Sequence, residues 1–179
     1  MKSNSFKIGI VVFALMMIFV LMASVSAESN DTTVLTLSKA GITINYPSTW
    51  GYSQAVSPYS IMSISKLDSI DSFGIGQVNI NFEKKPIEGD FETFVNQSYE
   101  PMKYDSNYDI VSSGQSSVAG YNALEYVYTS NDNDVQKQHK AVWFEKGGQA
   151  YVLLYSAPID KFESNLFVFD YIWSDIKIT

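Results

Sequence analysis

His139 is the sole histidine of the chain, so any imidazole chemistry must run through it. A Ser–His–Asp relay needs that ring beside a nucleophile. His139 instead sits in Gln136-Lys-Gln-His-Lys140, and no Gly-x-Ser-x-Gly elbow occurs. Its context, polar and next to a turn, predicts a surface or cross-strand residue. Paired carboxylates are the next candidates, because a glycosidase needs two. Glu83, Glu125 and Glu145 fall on predicted strands, where carboxylates ordinarily mark the solvent face. A carboxylate-dependent hydrolase is therefore the third reading, behind two without catalysis. Asn131-Asp-Asn-Asp134 offers oxygen ligands for calcium but lacks the glycine and distal glutamate of an EF-hand. Asn and Asp are also what a turn requires, and the turn reading takes precedence. Asp68-Ser-Ile-Asp71 reads the same way. Gly74-Ile-Gly76 lacks the third glycine and following helix of a dinucleotide loop. The metal candidates reduce to Asp132, Asp134 and His139, which form no recognisable ligand set. No catalytic residue and no cofactor is assigned.

Composition removes further classes. The chain has 179 residues, 46% apolar and 15% aromatic, with a net charge of −7. Cysteine is absent, which excludes thiol catalysis, Cys-ligated zinc, iron–sulfur clusters and disulfides. All 12 basic residues are lysine. An acidic chain without arginine is a poor match for phosphate backbones, so no nucleic-acid partner is expected. Tyr121, Tyr126, Tyr128, Tyr151 and Tyr155 read as sheet residues that can also offer rings with polar tips. The candidate binding surface is Asn79, Asn81, Tyr126, Tyr128 and Tyr151.

The elements that position these residues follow an address segment. Lys2 and Lys7 precede an apolar run from Ile8 to Ala23, and Val25 and Ala27 fit a secretory cleavage site after Ala27. The run suits either a cleaved signal peptide (residues 1–27) or an uncleaved anchor, with membrane contact confined to residues 8–25. Either way the lysines stay inside and the remainder is exported, to the exterior or the outer face of the cytoplasmic membrane. Two sequons, at Asn30 and Asn96, are candidate glycosylation sites. Residues 28–33 read as a short tether and 34–179 as one domain.

Within that domain Val34–Leu37, Ile42–Tyr46, Ile61–Leu67 and Gly76–Glu83 read as strands. In the last, Val78, Ile80 and Phe82 alternate with Gln77, Asn79, Asn81 and Glu83, which predicts one wet face. Asp90 caps a predicted helix with Phe91, Phe94, Val95 and Ser98 on one stripe, and Pro101 limits it to about residue 100. Turn signals at Ala119-Gly120, 131–134 and Gly147-Gly148 divide strands near 110–118, 121–130, 135–145 and 149–156, an antiparallel meander. Pro158, then Asp160 with Glu163, predicts a capping box. Phe162, Leu166, Phe169 and Trp173 follow at helical spacing. Phe167, Val168, Tyr171 and Ile172 add apolar surface that predicts burial on more than one side. The fold class is α+β, an antiparallel β-sheet of about six to eight strands packed by two main helices.

Four stretches stand out: Ile42-Thr-Ile-Asn-Tyr-Pro-Ser-Thr-Trp50, Gly120-Tyr-Asn-Ala-Leu-Glu-Tyr126, Gly148-Gln-Ala-Tyr-Val-Leu-Leu-Tyr-Ser-Ala157, and the closing helix that runs into Ser174-Asp-Ile-Lys-Ile178. Together they resemble the PsbP-like superfamily. All are fold markers and none is a catalytic motif. The resemblance implies a central antiparallel sheet packed by helices and a non-catalytic, extracytoplasmic accessory role, in a prokaryotic relative rather than a plastid subunit. The expected partner is a cell-envelope protein, or alternatively a cell-envelope glycan.

Overall fold

The computed structural model describes residues 33–55, 57–132 and 135–179. The address segment, the Asn30 sequon, Asp134 and the Asp132 side chain lie outside the described part. Strands β1 (Val34–Lys39), β2 (Ile42–Pro47) and β10 (Lys177–Ile178) form a three-stranded antiparallel sheet in the order β1-β2-β10. Strands β3 (Trp50–Tyr52), β4 (Ser60–Lys66), β5 (Asn79–Pro86), β6 (Tyr108–Val118), β7 (Tyr121–Asp132), β8 (Val135–Lys146) and β9 (Gln149–Pro158) form the second sheet. Its order is β3-β4-β5-β9-β8-β7-β6, antiparallel throughout. Helix α1 (Phe91–Tyr99) joins β5 to β6, and α2 (Ile159–Asp175) joins β9 to β10. The architecture is the expected α+β one, with more strands, divided between two sheets. The short β3 and β10 carry no alternation long enough to read in sequence.

Local chemistry explains the hairpins. Ala40-Gly41, Ala119-Gly120 and Gly147-Gly148 all hold positive φ at both positions. That is the two-residue turn whose twist matches the flanking strands. Asp90 caps α1 as its sequence position requires, accepting from the Thr93 N–H at 2.9 Å. That bond holds the Asp90 carboxyl below its ordinary pKa. Pro101 ends the α-helix at Tyr99, and a 3-10 turn (Glu100–Tyr104) continues the path.

Two expectations for α2 change. Pro158, extended at ψ 144°, is itself the N-cap residue, and no side chain caps the helix. Asp160 is already inside the first turn, so it cannot form the predicted capping box; its charge still complements the helix dipole there. Phe167 and Tyr171 stay 66% and 41% exposed, so α2 buries one broad face made of Phe162, Asn165, Val168, Phe169 and Ile172.

The main core lies between the large sheet on one side and α2 with the small sheet on the other. Ile42, Ile44, Ile64, Ile80, Phe82, Leu153, Tyr155 and Phe169 are all essentially inaccessible there. A second cluster, Val95, Tyr99, Tyr128, Ala141, Trp143, Ala150 and Val152, dries the opposite face beneath α1. The sheet is thus covered on both sides, and the predicted wet face of β5 is not wet: Asn81 and Glu83 are 8% and 7% exposed. Their polar groups satisfy one another. Ser60 Oγ donates to Asn81 Oδ1 at 2.5 Å, Asn81 Nδ2 donates to Glu83 Oε1 at 2.8 Å, and Lys85 Nζ lies 3.0 Å from Glu83 Oε2.

Gly76 is held at an unusually close approach. A Cβ built there would stand 2.1 Å from Ser65 Cβ and 2.0 Å from its hydroxyl, and Ser65 is fully buried. Gly76→Ala should therefore destabilise the domain by roughly 1–3 kcal/mol. Gly114→Ala, in the open edge strand β6 with nothing within 4 Å, should be neutral or stabilising by about 0.5–1 kcal/mol. Urea denaturation of both variants checks the contrast.

Candidate binding face

Strand register assembles the polar residues into rows across the α1 face. In one row Asn79 opposes Ser156, Ser156 opposes His139, His139 opposes Tyr128, and Tyr128 opposes Ile110. The next row runs from Ser63 through Asn81, Leu154 and Ala141 to Tyr126. Strand alternation puts Asn79, Asn81, Tyr126 and Tyr128 on this one face, as residues two apart must be.

His139 is a cross-strand residue, half-buried rather than on the open surface. Its Nε2 lies 2.8 Å from Ser130 Oγ and its Nδ1 lies 2.8 Å from Ser156 Oγ. Its ring stacks on Tyr128 at 4.6 Å between centroids, with planes 15° apart. Burial pushes the imidazole pKa down to about 4, and the nearby Lys137 charge adds to the shift. The ring is therefore neutral at pH 7, accepting from one serine and donating to the other. Spacing alone resembles a Ser–His relay. Chemistry does not favour one, because a general base must become an imidazolium and here a serine occupies the carboxylate's place. What the arrangement does well is fix two hydroxyls and a ring in a polar, uncharged array.

A groove of about 430 Å³ opens over this array, lined in part by Met102, Tyr108, Tyr128, Ser130, Lys137 and His139. Tyr108, 38% exposed, sits at 6.4 Å from the Tyr128 ring. Burial raises the Tyr128 hydroxyl pKa, so the phenol stays protonated. A second depression of about 300 Å³ lies at the other end of the same rows, with Asn79, Asn81, Glu83 and Leu154 against Gln54 and Ser57.

The remaining sequence candidates have other places. Tyr126 stacks on Tyr99 at 3.9 Å and donates to Asn96 Oδ1, so it fastens α1 to the sheet. Asn96 itself is exposed on α1. Tyr151 faces the main core on the opposite side of the sheet, 8% exposed and stacked on Phe144. The three glutamates do not gather at one point. Glu125 is 3.5 Å from Lys140, Glu83 is paired with Lys85, and Glu145 lines a third depression with Asp90 and Glu92. Among the described residues no group of three or more His, Asp or Glu is placed to hold a metal ion. Ser130, Ser156, Tyr108 and Lys137 complete the array, and sequence alone does not single them out. Pairing β7, β8 and β9 by their turns is the signal that finds them.

Beneath α1 the Trp143 Nε1–H donates to the Tyr99 hydroxyl at 2.7 Å, both groups buried. Tyr99→Phe should cost about 1–3 kcal/mol by orphaning that indole N–H while keeping the ring. Thermal denaturation of Tyr99→Phe beside Tyr126→Phe, whose lost bond is exposed, separates burial from bond count.

This two-sheet α+β arrangement has known counterparts. The sequence matches the family model described as PsbP-like protein over residues 21–174, and the chain belongs to that family. It is similar to the solution structure of cyanobacterial PsbP (CyanoP) from Synechocystis sp. PCC 6803, at 14% identity and a TM-score of 0.58, covering 83% of this chain and 94% of that one. It is also similar to the crystal structure of LpqN, involved in cell envelope biogenesis of Mycobacterium tuberculosis, at 15% identity and a TM-score of 0.59, covering 84% and 92%. At such identities these structures speak to the fold. No curated protein matches the chain in sequence.

Proposed function

We propose that this protein is an extracytoplasmic accessory module that binds a cell-envelope component and breaks no bonds. The observation that carries the reading is the Tyr128–His139–Ser130 array, neutral at pH 7 and open to a groove. Rings, hydroxyls and a fixed imidazole give orientation and hydrogen bonding without a strong base or nucleophile. Family membership and the amino-terminal lysines ahead of an apolar run support the same reading. A partner from the cell envelope fits a chain one of whose structural counterparts is described as involved in envelope biogenesis. A protein partner is the first reading. Envelope glycan is the second, favoured by the tilted Tyr108–Tyr128 pair beside hydroxyl and amide groups. Among the described residues no helix is long and apolar enough to cross a membrane.

A photo-crosslinking residue placed at Tyr108 in the full chain, expressed in its own cells, tests this. Adducts from Tyr108 and none from the exposed edge position Ser113 are expected. Equal labelling from both, or none from Tyr108, overturns the reading. Adducts that vanish after glycan-degrading treatment of the envelope, with binding lost in Tyr108→Ala, select the glycan over the protein.

A further inference from the structure

Away from the α1 face, α2 leaves an apolar patch uncovered. Phe167, 66% exposed, and Tyr171, 41% exposed, lie one helical turn apart and frame a concavity of about 210 Å³ with Val34, Pro47 and Val168. Aliphatic groups and aromatic rings line it. Val34, 53% exposed, is the first residue of β1. The patch therefore sits where the chain arrives from its amino-terminal segment.

That position bears on what covers the patch. The apolar run ends at Ala23, and ten residues separate it from Val34. Whatever their conformation, ten residues cannot span more than about 35 Å. If the run stays in a bilayer, Val34 and its neighbours stay within about 35 Å of the lipid and can reach its headgroup layer. The residue types suit that layer, since aromatic rings with an adjacent aliphatic floor favour the headgroup boundary. Charge sets the lipid class. Glu163 and Asp170 flank Phe167 at one turn on either side, Asp170 lying 3.5 Å from Lys140, and the whole chain carries −7. An anionic surface would repel this face, whereas a zwitterionic or neutral one would accept it.

We infer that Phe167, Tyr171 and Val34 form a second membrane contact, seating the domain on a neutral lipid surface next to its own retained anchor. The inference rests on the export reading with the anchor uncleaved. Tethering raises the local concentration of lipid, so a patch too small to bind vesicles by itself suffices. The seat also orients the domain: α2 faces the lipid, and the α1 groove, on the other side of the large sheet, faces away from it toward a partner.

The absence of cysteine makes the test direct. Ser174→Cys, one turn beyond Tyr171 on the exposed side of α2, takes a spin label in the full chain reconstituted into phosphatidylcholine vesicles; Ser113→Cys on β6 is the control. The expected result is co-flotation, with the Ser174 label colliding more with oxygen than with a water-soluble nickel chelate, and the reverse at Ser113. The Phe167→Ser/Tyr171→Ser pair, both exposed and so compatible with folding, should move the Ser174 label into water while flotation persists. A chain that floats with the Ser174 label already in water overturns the patch inference and leaves the anchor reading standing. A chain that does not float overturns both. Shielding that comes with spin–spin broadening, relieved by unlabelled protein, assigns the patch to a second copy and overturns the lipid contact.

Discussion

Phe169→Ala is expected to lower the unfolding free energy by about 3–5 kcal/mol, and Trp173→Ala by about half as much or less. Both lie on the same stripe of α2, so periodicity alone would rank them together. Burial separates them. Phe169 is fully inaccessible, packed 6.0 Å from the Tyr155 ring, with the Lys140 ammonium 5.4 Å from its centroid. Trp173 is half-buried at the end of the stripe, parallel to Phe169 at 6.3 Å. Truncating Phe169 leaves a cavity beside Tyr155 of β9 and Lys140 of β8, two interior strands that cannot collapse into it. Truncating Trp173 lets water reach a surface it already touches. Urea unfolding followed by far-UV circular dichroism checks this, because it does not depend on the indole being removed. Unchanged m-values would show that the comparison is one of native stability. Equal costs would mean that the stripe, and not its depth, governs α2 docking.

The strands and hairpins were legible because their signals are local. Two-residue turns announce themselves through Ala-Gly and Gly-Gly pairs, and each fixes its register within the hairpin. The predicted strand near 149–156 also held a clue to the second dry face. Ala150-Tyr-Val-Leu-Leu-Tyr155 is continuously apolar, the pattern of a central strand covered on both sides. Set beside it, the alternation in β5 means that Asn81 and Glu83 enter a covered layer and must pair there. The failure at Asp160 has another origin. A capping box assumes a loop before the helix, but β9 passes into α2 through Pro158 with no loop between. The candidate site was the least legible part. Ser130, His139 and Ser156 belong to three strands, and their meeting depends on two hairpin registers at once. Tyr151 belongs with Asn79, Asn81, Tyr126 and Tyr128 by residue type but lies on the opposite face, because a strand sorts residues by parity rather than by chemistry.

Acid should weaken the fold through His139, whose lowered pKa supplies the sign. In the unfolded chain the imidazole binds a proton near its ordinary 6.5; in the folded protein it does so only at about 4. Between those values the unfolded state carries more protons, so stability rises with pH through the window and is lost as pH falls from about 6.5 toward 4. Above it both states are neutral, and below it both are charged, so this group contributes no slope in either range. The full effect is on the order of 3 kcal/mol. Carboxylates begin to titrate at the lower end of the same window, and a single pH profile would mix the contributions. His139→Gln removes one of them while keeping a donor and an acceptor between Ser130 and Ser156. The wild-type protein should lose stability relative to this variant on going from pH 7 to pH 4.5, and the two curves should run parallel above pH 7. An NMR titration of the His139 ring provides the independent measurement. A midpoint near 6.5 in the folded protein would mean that water or a carboxylate reaches the ring, and the neutral array beneath the groove would no longer hold. A midpoint near 4 ties the groove's polarity to pH, since protonation turns the acceptor nitrogen into a donor and forces one serine hydroxyl to turn. A ligand seated on Tyr128 and Ser130 should then leave as the pH approaches 4, where the folded ring takes up its proton.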